Sequence, residues 1–117
     1  MSQSESERIR EVYKWYDQTG RGQKVWYKPT AGADFIGASI RRKIVTVLEQ
    51  HGLGALSDHS ILEVGCGSGA VLEYLVSLGA TEEKVHGPDV IEARANEAQK
   101  KLPSGRFQCA DASQLPY

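Results

Sequence analysis

Apolar residues recur at helical spacing over the first fifty positions, then in short continuous or alternating runs. Between Glu5 and Asp17, Ile9, Val12, Tyr13 and Tyr16 fall at i, i+3, i+4 and i+7, one stripe of a helix expected to pack on the body. A second helix is expected from Asp34, whose side chain suits an N-cap, with Ile36, Ile40, Ile44, Val47 and Leu48 as its buried stripe. Arg41, Arg42, Lys43 and Glu49 fall mainly on the other side, a solvated face, and Gly52 takes the C′ position that stops the helix. Between the two helices, Gln18 to Ala33 carries Gly20, Gly22, Pro29 and Gly32 and reads as a loop. It also holds Trp26 and Tyr27, which leaves two readings open: a lid across a ligand site, or an aromatic pair anchoring a surface loop.

The pattern changes at His59. From there to Leu72 the chain reads H-S-I-L-E-V-G-C-G-S-G-A-V-L. Ile61, Leu62 and Val64, interrupted only by Glu63, suit a buried strand. Gly65, Gly67 and Gly69 then alternate through a tight turn, and Ala70 to Leu78 has the content of a helix stopped at Gly79. Strand, glycine turn and helix open a nucleotide-binding α/β unit, in which a bare loop and a helix start are expected to offer backbone N–H groups to a ligand. Lys84 to Asp89 reads as a second strand, which Pro88 is expected to end early because it removes an interior donor. Ile91, Ala95, Ala98 and Leu102 mark a further helix, broken by Pro103-Ser104-Gly105, and Arg106 to Ala110 a third strand with Phe107 and Cys109 on one face. Strands joined by helices run parallel with right-handed crossovers, so the fold class is α/β: a partial Rossmann-like doubly wound sheet of order 3-2-1 with N-terminal helices.

Composition narrows the function classes. The 117 residues suffice for one small domain, and 40% hydrophobic with 25% charged residues is close to the globular average. A formal charge of −1 and a pI near 6.3 argue against a nucleic-acid partner. No run approaches the ~18 apolar residues of a membrane helix, and the polar start M-S-Q-S-E-S-E-R is not expected to be a secretory signal. Cys66 and Cys109 lack metal-ligand spacing and read as reduced thiols of a cytoplasmic protein. His51, His59 and His86 likewise show no ligand spacing, so no metal is expected.

Three segments carry a resemblance. I-L-E-V-G-C-G-S-G at 61–69 resembles motif I, E-V-G-C-G-S/T-G, of the class I S-adenosylmethionine-dependent methyltransferases, of the methyltransferase type 11-like kind. H-G-P-D-V at 86–90 is similar to the end of that family's second strand, and F-Q-C-A-D-A-S-Q-L-P-Y at 107–117 to the motif around its third strand and following loop. Gly65, Gly67 and Ala70 also satisfy the dinucleotide pattern G-x-G-x-x-A, so an NAD-binding dehydrogenase domain stands as an alternative. Glu63, just before the turn, tilts against it, since a carboxylate disfavours a pyrophosphate.

The resemblance implies a site for S-adenosyl-L-methionine. Gly65, Gly67 and Gly69 would let the backbone close on the methionine part, with Cys66 a small filler of the turn. Glu63 would support that loop and the amino end. Asp89, 24 positions after Gly65, would accept from the ribose hydroxyls, Val90 would wall the adenine, Asp111 would meet its exocyclic amine, and Ala112 would offer an N–H to the ring. Asp111 could equally open a turn in an Asx role. The resemblance divides the chain into an N-terminal helical cap over 1–58 and a cofactor-binding half over 59–117, cut after the third strand. Methyl transfer to a small molecule is the expected activity, with a non-catalytic cofactor-binding fragment as the alternative. No residue is singled out as catalytic, because the family's usual places lie beyond Tyr117. With no fourth strand, the first would be a bare edge, inviting self-association.

Overall fold

A computed structural model describes residues 3–20 and 31–117; Trp26 and Tyr27, the lid candidates, lie outside the described residues. The chain divides into two compact units, Met1–Thr46 and Val47–Tyr117.

In the first unit, helix α1 spans Glu5–Thr19 and starts from a capping box. Ser4 Oγ accepts from the Glu7 amide at 3.2 Å while Glu7 Oε2 accepts from the Ser4 amide at 2.8 Å, which satisfies two of the helix's orphan donors. The helix ends at Gly20, whose φ of 64° is left-handed. Of the expected packing stripe, Val12 and Tyr16 are exposed, and α1 fully buries only Ser6. Helix α2 spans Ala31–Gln50, three residues earlier than the pattern places it, so Asp34 is not its N-cap. The carboxylate instead lies in the first turn, where it still complements the positive end of the helix. The stripe expected to be buried is a face of the helix but an uncovered one: Ile36 and Ile40 are 57% and 52% exposed, and no residue of α2 is buried. The predicted stop holds. Gly52 takes φ 71°, and the amides of Gly52 and Leu53 close on the carbonyls of Glu49 and Leu48.

The second unit carries the sheet. Strands β1 (Ile61–Leu62), β2 (Val85–Asp89) and β3 (Arg106–Cys109) are parallel in the order β1-β2-β3, with α3 (Ala70–Ser77) and α4 (Glu92–Lys101) as the crossovers. Leu72 and Leu75 of α3, Ala95 and Ala98 of α4, Val85 and Leu102 make the core, as the helical spacing predicts. Alternation along β2 and β3 puts Gly87 and Phe107 opposite one another on one sheet face. There the Phe107 ring fills space left by three glycines. A Cβ on Gly87 or Gly105 would stand 2.8 or 2.7 Å from that ring, and one on Gly69 would meet it at 4.0 Å.

Pro88 does not end the second strand early. β2 runs through it to Asp89, with Pro88 fully buried and in register with Gln108. The reason is the side on which the missing donor falls. In a parallel strand a residue's N–H and C=O point to the same neighbour, and the Pro88 carbonyl faces β1, accepting from Gly65 and Cys66 at 2.9 and 3.1 Å. β1 is the strand that stops short, at Leu62, and β3 keeps its full ladder. Val64, expected inside a buried strand, is 52% exposed, and Leu62 is 42% exposed, on the edge of the sheet among the described residues. No helix among the described residues is long and apolar enough to cross a membrane.

Candidate functional site

The bend between β1 and α3 is built from left-handed glycines: φ is 72° at Gly65, 55° at Gly67 and 83° at Gly69. A side chain at any of them would be strained by roughly 1–2 kcal/mol. Above Gly65 and Gly67 an added Cβ would meet nothing within 4 Å, so the outer surface of the bend is open. Gly69 faces inward instead, where a Cβ would come within 3.0 Å of Ala98 Cβ and 3.3 Å of its Cα.

The amides of the bend do not point outward as expected for a phosphate cradle. Gly65 and Cys66 donate to the Pro88 carbonyl, Gly67 donates to Asp89 Oδ2 at 2.9 Å, and Gly69 donates to the Cys66 carbonyl at 3.0 Å. Four donors of the motif, three of them successive, are thereby taken by β2 and by the bend itself. At Gly65 and Gly67 the bend presents bare backbone whose amides are turned away from the open side. Cys66 fixes the same geometry from below. It is buried, its Cβ and Sγ each stand 2.8 Å from where a Gly87 Cβ would be, and its thiol donates to the Gly67 carbonyl at 3.4 Å. Burial first, then the charges of Asp89 and Glu63, push that thiol up to about 11, so it packs and does not act as a nucleophile.

Asp89 and Glu63 form an unequal acidic pair. Asp89 is 8% exposed, and both its oxygens are engaged: Oδ2 by the Gly67 amide, and Oδ1 by the Ile91 amide at 2.8 Å, in an Asx turn that leads into α4. A carboxylate has about four lone-pair positions, so two remain for a ligand's hydroxyls. Glu63 is held differently. Its backbone amide donates to the His86 carbonyl at 3.0 Å, continuing the ladder, but its side-chain Oε2 is buried and has no hydrogen-bond partner among the described residues. Burial, reinforced by the charge of Asp89, pushes this carboxyl up to about 7.

The structure brings Glu63, Gly65, Cys66, Gly67, Gly69 and Asp89 together around one bend. Val90 follows directly, half-buried, its carbonyl accepting from Cys109 Sγ at 3.6 Å. Asp111 caps the short 3₁₀ turn Ala112–Gln114: its Oδ1 accepts from the Ser113 amide at 2.8 Å and hydroxyl at 2.6 Å, the Asx role that the sequence left open. Ala112 is exposed at the start of that turn. Sequence reasoning missed Gly87 and Phe107 as the seat of the bend. The signal was present in H-G-P-D, where a glycine inside a strand marks a close approach of other atoms. A cavity of about 490 Å³ lies against β3 and Pro116-Tyr117; Phe107 lines it, but none of the residues predicted to bind the cofactor does. Among the described residues, no group of His, Cys, Asp and Glu could hold a metal ion.

This donor set fits a cation better than an anion. An open glycine surface and, beside it, a buried carboxylate acceptor with no hydrogen-bond partner among the described residues suit a positively charged ligand with hydroxyls. Residues 61–117 match the family model described as methyltransferase domain. Among solved structures, the chain is similar to a TehB-like SAM-dependent methyltransferase from Corynebacterium glutamicum ATCC 13032 Kitasato, at 23% identity and a TM-score of 0.40, over 68% of this chain and 46% of that one. The chain thus spans about half the length of that solved relative. No curated protein matches it.

Proposed function

We propose that the chain, whose residues 61–117 match a methyltransferase domain, is a class I S-adenosylmethionine-dependent methyltransferase whose glycine bend holds S-adenosyl-L-methionine for methyl transfer to a small molecule. The observation that carries this reading is the buried Oε2 of Glu63, unpartnered among the described residues, beside an open bend whose Gly65, Cys66 and Gly67 amides are already taken. That arrangement disfavours the diphosphate of a nicotinamide cofactor and favours a ligand carrying positive charge. When bound, S-adenosylmethionine supplies a methyl group activated by a sulfonium.

The chain's own residues bind and orient. Gly65 and Gly67 admit the methionine part against bare backbone, and Glu63 faces its positive charge. Asp89 accepts from the ribose with the lone pairs left over from Gly67 and Ile91, Val90 lines the adenine, and Asp111 and Ala112 approach its edge from the 3₁₀ turn. Gly69 and Cys66 hold the bend in place from within. Family members ask mainly that an acceptor be held in line with the methyl group, which is a proximity effect. In this reading residues 1–58 are an N-terminal helical cap, residues 59–117 form the cofactor half, and the setting is the reducing cytoplasm, where Cys66 and Cys109 stay as free thiols.

Calorimetry with S-adenosylmethionine, S-adenosylhomocysteine and NAD, followed by a labelled-methyl assay on small acceptors, tests the reading. Binding of both S-adenosyl compounds but not NAD is the expected result. Label transfer then separates an enzyme from a chain that binds without turnover, and a preference for NAD overturns the assignment.

A further inference from the structure

We propose that Glu63 of the unliganded site carries a proton, and that a cationic ligand displaces it, so the site exchanges one proton for the ligand's positive charge. The identity of that ligand rests on the reading above; the held proton does not. The argument is one of partners. Oε2 of Glu63 is shut off from solvent and accepts no hydrogen bond among the described residues. Four donors of the bend are turned elsewhere: the Gly65 and Cys66 amides to the Pro88 carbonyl, the Gly67 amide to Asp89, and the Cys66 thiol to the Gly67 carbonyl.

Asp89 is held where it is, because each of its oxygens already accepts from a backbone amide. The groups bearing on Glu63 are therefore Asp89 from β2 and the neutral Cys66 thiol of the bend, with no cation among the described residues contributing. An ionised, dry and unpartnered oxygen beside a second negative charge is disfavoured by desolvation and by repulsion together. The neutral acid removes both penalties. Burial and the Asp89 charge accordingly push Glu63 up to about 7, so the exchange falls in the physiological range.

A cation bound against Glu63 restores the anion, and the proton leaves to the buffer. The sign follows: affinity rises about tenfold per pH unit below the free-site titration point and is level above it. A neutral nucleoside should release no proton.

Two measurements on the full chain test this. The first is an NMR titration of the Glu63 side-chain carboxyl without ligand, expected to show a midpoint near 7. The second is calorimetry below that midpoint in two buffers of different ionisation enthalpy, with S-adenosylmethionine and with neutral 5′-methylthioadenosine. Net proton release is expected for the first compound only, and Glu63→Gln, checked for folding by its melting curve, should abolish both the release and the pH slope. A Glu63 midpoint in the ordinary carboxylate range overturns the proposal, as does S-adenosylmethionine binding without proton release or equal release by the neutral nucleoside. A midpoint near 7 with no binding of S-adenosylmethionine overturns the cofactor reading and the exchange, and establishes the held proton on its own.

Discussion

Glu63 and Asp89 divide the work of one acidic pair, and single substitutions should expose the division. The native Glu63 carboxyl titrates above its ordinary value of 4.5, so the folded chain binds that proton more tightly than the unfolded one. Its contribution to stability is full below about 4.5 and is lost as pH rises through about 7. Denaturant unfolding at pH values below and above this window should find the wild type weaker on the alkaline side. Glu63→Gln should flatten the difference, by about 1 kcal/mol once solvent screening is allowed for. Asp89→Asn keeps one acceptor oxygen and so loses one of the two amide bonds from Gly67 and Ile91. A loss of about 1–3 kcal/mol is expected from chemical denaturation. The same substitution removes the charge facing Glu63, so the Glu63 midpoint should fall toward the ordinary range in an NMR titration.

At the scale of elements, the strand, bend and helix were legible because each obeys a local rule. Left-handed glycines, the 95/98/102 apolar spacing of α4 and the turn at Pro103-Ser104-Gly105 speak for themselves, and the structure places them as the pattern predicts. Orientation was not legible. Nothing in G-C-G-S-G tells which way its amides face; that is decided by the Pro88 carbonyl and the Asp89 carboxylate some twenty residues on. Pro88 was misjudged for a similar reason, since sequence identifies a missing donor but not the neighbour it would have served. Asp34 and the α2 stripe show the other limit: periodicity finds a face and not what covers it. The seat of the bend yields its own prediction. In Gly87→Ala the new methyl would lie 2.8 Å from Cys66 and from Phe107, an overpacking expected to cost about 1–3 kcal/mol. Because Cys66 belongs to the bend, amide chemical shifts from Gly65 to Gly69 should move with it, which a change confined to the core would not produce.

For the whole molecule, the exposed apolar side chains of Leu62 and Val64 lie on an unpaired edge among the described residues. Such an edge is a template for another strand. The 117-residue chain prepared alone is expected to self-associate through β1, with concentration-dependent sedimentation and slowed amide exchange on association. A monodisperse monomer with strong exchange protection from Ile61 to Val64 would speak against it. The match to the methyltransferase domain, residues 61–117, lies within the second unit. The family match does not reach helix α1 or helix α2.

The ring of Phe107 has a consequence for how this sequence can drift. It is wedged among Gly69 of the bend, Gly87 of the central strand and Gly105 of the turn before β3, so three stretches far apart in the chain share a single void. Bulk gained at Gly87 or Gly105 presses on the aromatic, whereas at Gly69 it presses on Ala98 first. Homologues with alanine in place of Gly87 should therefore bear leucine or valine in place of Phe107, and pairing Gly87→Ala with Phe107→Leu should recover part of what the first change loses.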